Sequence, residues 1–190
     1  MVKFICYLIF LIKGWRYQNL LNQEVKSFVM VGAPHTSNWD FVPAMSVAYK
    51  SGNKAKFVIK NDWLKFPLNL FFKPIGAIGV DRSRIKTGEV SSTTDVMAQL
   101  FKEYKDLVLM IAPEGTRSAN SEWKSGFWHI AHKAGVPIVL GFADYKRKIA
   151  GLGPVIHTED FESDMKKIMN FYKTITAADP SKFMLDQRYL

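Results

Sequence analysis

The residues best suited to chemistry in this chain are His35 and Asp40, separated by four residues where an apolar stretch gives way to Pro34, Thr36, Ser37 and Asn38. An imidazole that donates one nitrogen's proton to a carboxylate keeps its other nitrogen free to take a proton from an alcohol. The carboxylate then stabilises the imidazolium as it forms. On an unbroken α-helix five steps would swing the two side chains about 140° apart, so the pair meets only if the chain turns before a helix begins. Pro34 and the polar residues after it suit such a turn, Ser37 and Asn38 being good N-caps. The alternative reading of the same two residues is a histidine and an aspartate that cap the helix.

A second constellation, Glu114-Gly115-Thr116-Arg117-Ser118, follows an apolar run and Pro113. Gly115 allows close backbone approach, Thr116 and Ser118 supply hydroxyls, and the Arg117 guanidinium can grip a phosphate with two parallel hydrogen bonds. Glu114 repels a phosphate, so its expected task is to orient Arg117 or a neighbouring donor; a polar turn with a surface ion pair is the alternative. His129 and His132 share a helix face but have no carboxylate or cysteine partners nearby, and His157 lacks convincing ligand spacing, so no metal site is expected.

The elements that must position these groups follow from periodicity. Apolar runs predict strands over 27–31, 56–59, 75–80, 107–112 and 136–142. Helical patterns cover 39–49, 88–104, 127–133 and a late amphipathic segment with Phe161, Met165, Ile168, Met169 and Tyr172 on one face. Strands alternating with helices predict an α/β fold, a mixed and largely parallel sheet covered by helices, with functional groups in the loops at strand ends.

At 190 residues with 48% hydrophobic content the chain suits one folded domain. Its 26 Lys and Arg against 17 Asp and Glu give a net charge of +9, which favours an anionic partner. Cys6 is the single cysteine, which excludes an intrachain disulfide framework and a cysteine-based metal cluster. No nucleic-acid-binding module or aromatic RNA-binding signature accompanies the charge, so nucleic acid is not an expected partner. Residues 4–12 form an apolar run between Lys3 and Lys13; as a helix it would reach only about 14 Å, too short to span a bilayer. Trp15, Arg16 and Tyr17 follow it, a cluster suited to a headgroup boundary. The expected organisation is therefore a membrane-interface segment over 1–20 and one domain over 21–190, with a core-packing N-terminal helix as the alternative. The apolar stretch 66–72 is a second patch that can face lipid.

Four motifs in order carry a resemblance. Pro34-His35-Thr36-Ser37-Asn38-Trp39-Asp40 resembles the first motif of the glycerophospholipid acyltransferase family, and the run from Lys73 to Arg82 resembles its second. Pro113 to Ser118 resembles the third, followed by Lys124 and Gly126 as that motif commonly is, and Gly135-Val136-Pro137-Ile138-Val139 resembles the fourth. The likeness covers about 29–142. Pro34 stands where asparagine is usual, Ala112 where an aromatic is common, and Leu140-Gly141 where a second proline is common; none of these changes removes a polar catalytic group.

The resemblance implies that His35 and Asp40 activate an acceptor hydroxyl. It also implies a substrate-binding set of Glu114, Gly115, Thr116 and Arg117 with Arg82 and Lys60, whose basic members grip the acceptor's phosphate. The implied reaction moves an acyl group from acyl-CoA or acyl carrier protein to a lyso-phospholipid, 1-acyl-sn-glycerol 3-phosphate being the standard acceptor, at the cytoplasmic face of a membrane and without a cofactor. The competing expectations are an acyltransferase for another lyso-lipid, such as a lyso-aminolipid, and a non-catalytic basic protein that binds membranes or nucleic acid.

Overall fold

Strands buried on both faces read as continuous apolar runs rather than alternating ones, and each such run contributes a strand to one sheet in the computed structural model, the run 75–80 after its first residue has closed a helix. The structure describes residues 2–21, 24–52, 55–60, 64–80 and 92–190, and of residues 58–60, 71 and 80 the backbone alone. Among them, seven strands form the sheet: β1 (Arg16–Asn19), β2 (Phe28–Gly32), β3 (Ala55–Lys60), β4 (Ala77–Val80), β5 (Val108–Ile111), β6 (Ile138–Asp144) and β7 (Ile149–Ile156). Their order is β1-β7-β6-β2-β5-β3-β4. Neighbours run parallel except β6 and β7, which form an antiparallel hairpin. The expected mixed, largely parallel α/β sheet is the one observed.

Alternation along each strand sorts the core into two layers. Val29 and Val31 of β2, with Leu109, Ile138 and Leu140, pack against α4 (Thr93–Glu103), α5 (Gly126–Ala134) and α6 (Phe161–Tyr172). Phe28 and Met30, with Val108 and Val139, face the other way, toward α1 (Val2–Ile12), α2 (Phe41–Lys50) and α3 (Asn69–Ile75). This second layer lies beneath the site.

α1 buries one face and exposes another. Cys6 and Phe10 are buried, Phe10 against β2 and β7 and Cys6 against Met45 and Ile75, whereas Phe4, Ile5, Leu8, Leu11 and Ile12 are exposed, Ile12 at 83%. The helix therefore does pack into the core, and its outer apolar row is free. No helix among the described residues is long and apolar enough to cross a membrane.

Two strands had no counterpart in the apolar pattern. β1 is a polar edge strand, and its Trp15 neighbour packs on Phe10 and Tyr145 rather than standing free. β7 contains Gly151, Gly153 and Pro154, residues that ordinarily argue against a strand. Here they are what its neighbours require: a Cβ at Gly151 would collide with the Gln18 backbone of β1, and one at Gly153 would sit 2.6 Å from the Phe171 ring. The register with β6 shifts between Val139 and Gly141, opposite Gly153 and Pro154, and such a bulge tolerates a residue without an N–H.

Candidate active site

β2 delivers the first group. After Gly32 the chain leaves the C-terminal edge of the sheet through Ala33 and Pro34, turns, and makes a short 3-10 turn over Asn38–Asp40 before α2 begins. Ser37 caps that turn by accepting from Trp39 N at 3.2 Å. Asp40 Oδ2 reaches back to accept from Thr36 N and Ser37 N, each at 2.8 Å, a reciprocal capping arrangement. Pro43 falls in the first turn of α2, where its missing N–H costs nothing.

The same Oδ2 lies 3.5 Å from His35 Nδ1. Capping and the imidazole pair, posed by the sequence as alternatives, thus coexist in one carboxylate. The other ring nitrogen, Nε2, receives a long 3.4 Å contact from Arg117 Nε. An arginine can only donate, so Nε2 presents its lone pair and Nδ1 carries the proton toward Asp40, the tautomer a base needs. Separations of this kind tighten when a substrate fills the site.

Asp40 is 7% exposed and would be raised by that burial. Hydrogen bonds from His35, Ser37, Tyr145 and Thr36 outweigh it and hold the carboxyl below the usual range, so it is ionised. The Tyr145 hydroxyl donates to Asp40 Oδ1 at 2.7 Å. No pattern in the sequence singled out Tyr145; it sits in the turn after β6, and the hairpin that brings it across is absent from the apolar periodicity.

β5 delivers the second group. Glu114 is 2% exposed and accepts from His35 N at 2.8 Å, so of the two expected tasks, orienting Arg117 or a neighbouring donor, it takes the second and braces the histidine's backbone. The reason is direction: Glu114 points inward beneath the His35 turn, while Gly115, Thr116 and Arg117 are exposed. Burial pushes the Glu114 carboxyl up, and the bond from His35 N and the His35 charge only partly offset it; it stands at about 7. Gly115 has φ 68°, a left-handed conformation that favours glycine, and a Cβ there would press on Lys124, the lysine that trails this loop. Thr116 Oγ1 accepts from Ser118 N at 3.2 Å and Asn120 Nδ2 donates to the Glu114 carbonyl at 2.9 Å, closing the loop on itself.

Lys60 ends β3 at the same edge of the sheet, paired with Val80; its side chain lies outside what the structure describes, as does Arg82 altogether. Among the described residues no group of three His, Cys, Asp or Glu side chains is placed to hold a metal ion.

Behind the His35 turn opens a cavity of about 740 Å³. His35, Asn38, Asp40 and Arg117 sit at its polar end. Met30, Met45, Phe57, Phe72, Ile75 and Met110 form apolar walls, and Gly32, Gly141 and Gly151 complete the lining on the sheet side. A Cβ at Gly141 would press on Met30 at 3.1 Å. The cavity was not foreseen, although glycines interrupting apolar strands are the kind of signal that marks a close approach or a vacant face. A volume of this size with apolar walls and a few convergent polar groups suits a small ligand with a long apolar part.

Compared with known proteins, the chain matches the family model described as Acyltransferase over residues 15–139. A search of curated proteins and one of solved structures returned no match.

Proposed function

The chain belongs to the Acyltransferase family, and from that premise we propose that it moves a fatty acyl group from acyl-CoA or acyl carrier protein to the free hydroxyl of a lyso-phospholipid. The first candidate acceptor is 1-acyl-sn-glycerol 3-phosphate, whose product would be phosphatidic acid for phospholipid synthesis. The observation that carries the reading is the His35 imidazole, backed by Asp40 and, among the described residues, with only a long contact from Arg117 at Nε2, at the polar end of the apolar cavity.

In this mechanism Nε2 removes the acceptor hydroxyl proton as the oxygen attacks the thioester carbonyl carbon. The tetrahedral intermediate collapses, the carbon–sulfur bond breaks, and the imidazolium returns its proton to the departing thiolate. No acyl-enzyme, metal or cofactor enters these steps. Asp40 stabilises the imidazolium, Glu114 fixes the backbone that carries His35, and Arg117 holds the acceptor's phosphate with help from the Gly115-Thr116 turn. Lys60 and Arg82 would extend that basic pocket. The acyl chain lies along the methionine and phenylalanine walls.

The acceptor's tails reside in a bilayer, so the reading also places residues 1–20 at the cytoplasmic surface of a membrane and 21–190 behind them as the catalytic domain. Support comes from the outer row of α1 and from Phe66, Leu68 and Leu70 beside α3, with Phe66 79% exposed. α1, α2 and α3 meet in one cluster, and Trp39, in the turn just before α2, is 70% exposed. Lys13, Arg16, Lys146 and Lys148 are exposed near the end of α1, where Arg16 N donates to the Lys148 carbonyl.

The decisive experiment is a turnover assay of purified protein with lyso-lipids that carry or lack a phosphate and with both donor types, read by mass spectrometry. His35→Ala should lower turnover by roughly 10²–10⁴-fold. Arg117→Ala should raise KM for phosphate-bearing acceptors about 10–100-fold and hardly change it for others. Full turnover by His35→Ala would end the enzymatic reading; an Arg117→Ala protein indifferent to the phosphate would move the acceptor to an uncharged lyso-lipid.

A further inference from the structure

Tyr145 lies outside the matched stretch 15–139, yet it touches the dyad directly. Asp40 Oδ2 is already committed to Thr36 N, Ser37 N and the His35 ring. Oδ1 has the Tyr145 hydroxyl, at 2.7 Å, as its donor among the described residues. The ring that carries this hydroxyl is held from two sides: Trp15 meets it edge-on with centroids 4.8 Å apart, and the Tyr145 backbone N–H donates to the Thr176 carbonyl at 2.9 Å. We propose that Tyr145 is a positioning residue that acts through Asp40, orienting the carboxylate and drawing off part of its charge so that His35 releases its proton readily. The consequence for turnover rests on the acyl-transfer reading above; the effect on the imidazole does not.

A carboxylate that already accepts several hydrogen bonds attracts an imidazolium proton less strongly than one that accepts fewer. Burial, then the bond to Asp40 and the Asp40 charge, push the Tyr145 phenol well above its ordinary range, so it stays a neutral donor wherever the enzyme works. Among the described residues, the charged and titratable groups in contact with this assembly are Glu114 and Arg117 around His35, and His35 and Tyr145 around Asp40. Glu114 titrates near 7 and would contribute to any rate profile. The imidazole must therefore be followed by itself.

The experiment is an NMR titration of the His35 imidazole, beside kinetics, in Tyr145→Phe, which keeps the ring against Trp15 and removes the hydroxyl. With Oδ1 left bare and Oδ2 still held by two amides, the His35 midpoint should rise by about half to one pH unit. On the acid side of the midpoint kcat/KM should fall about 3–10-fold, and the difference should shrink and vanish as pH rises past it, with KM little changed. In an Asp40→Asn background, adding Tyr145→Phe should move nothing further. A fluorinated tyrosine at position 145, a stronger donor of the same shape, should shift the midpoint down, and needs no loss of packing. An unmoved midpoint in both proteins, or a shift that persists without the Asp40 carboxylate, would overturn the proposal. If unmodified protein acylates no acceptor while the midpoint still moves, the acyl-transfer reading fails and the positioning role stands.

Discussion

Asp40 shows how far a single side chain can be read and where reading stops. Its distance from His35 and the turn residues between them were legible because both partners lie within one short segment, as Arg117 was from its place after an apolar strand. For Glu114 the choice between Arg117 and another donor stayed open because its partner is a backbone N–H seventy-nine residues away in sequence, and a backbone group leaves no mark on a residue pattern. Its environment yields a sign that can be checked. The carboxyl moves from 4.5 to about 7 on folding, so between those values the folded protein keeps a proton that the unfolded chain has released. The favourable contribution is full below 4.5 and gone above about 7, and a shift of this size is worth on the order of 3 kcal/mol. Glu114→Gln keeps an oxygen for His35 N and loses the titration. In denaturant unfolding it should exceed the parent protein by about 1–3 kcal/mol at slightly alkaline pH and draw level with it in acid. Parallel curves across that window would refute the assignment.

Among the elements, the strands with unbroken apolar runs and the helices with clear periodicity were readable, since burial on two faces or one dictates their composition. β1 and β7 escaped because their sequences answer to neighbours: β1 is a polar edge, and β7 gives up side chains so that Gln18 and Phe171 can approach. α1 joins both kinds of information. Its apolar run was evident, but which residues turn inward was not. Deleting it would remove Phe10 and Cys6 from the core along with the proposed docking face, and Phe10→Ala alone should cost about 3–5 kcal/mol. Leu8→Glu combined with Ile12→Glu separates the two roles, since both side chains are exposed. The double variant should keep its thermal midpoint within a few degrees and lose at least about tenfold in partitioning onto anionic vesicles, and added salt should weaken the parent protein's partitioning by screening the basic residues nearby. Unchanged sedimentation with vesicles would remove α1 from the membrane contact.

At the scale of the molecule, three layers with the chemistry at the C-terminal edge of a parallel sheet follow from alternation of strands and helices, and so were foreseeable. The return of residues 173–190 over that edge was not, because its polar ties join segments far apart in sequence and its apolar residues, Ile175, Phe183 and Leu185, show no periodic pattern. Asp179 N donates to Thr36 Oγ1 at 3.1 Å, and buried Asp186 accepts from Trp123 N at 2.9 Å and from Arg188 Nε at 2.9 Å. Burial would raise the Asp186 carboxyl, but Arg188 and the Trp123 amide hold it low. Asp186→Ala strands those donors and should cost about 3–5 kcal/mol in unfolding measurements; a loss below about 1 kcal/mol would show that this segment merely rests on the body. The cavity wall carries a last implication. Three of its residues, Met30, Met45 and Met110, are thioethers, which bend to fit guests of differing shape but accept oxygen from peroxide to become polar sulfoxides. Oxidative stress would thus wet the very surface that welcomes hydrocarbon, and repair by sulfoxide reduction would restore it.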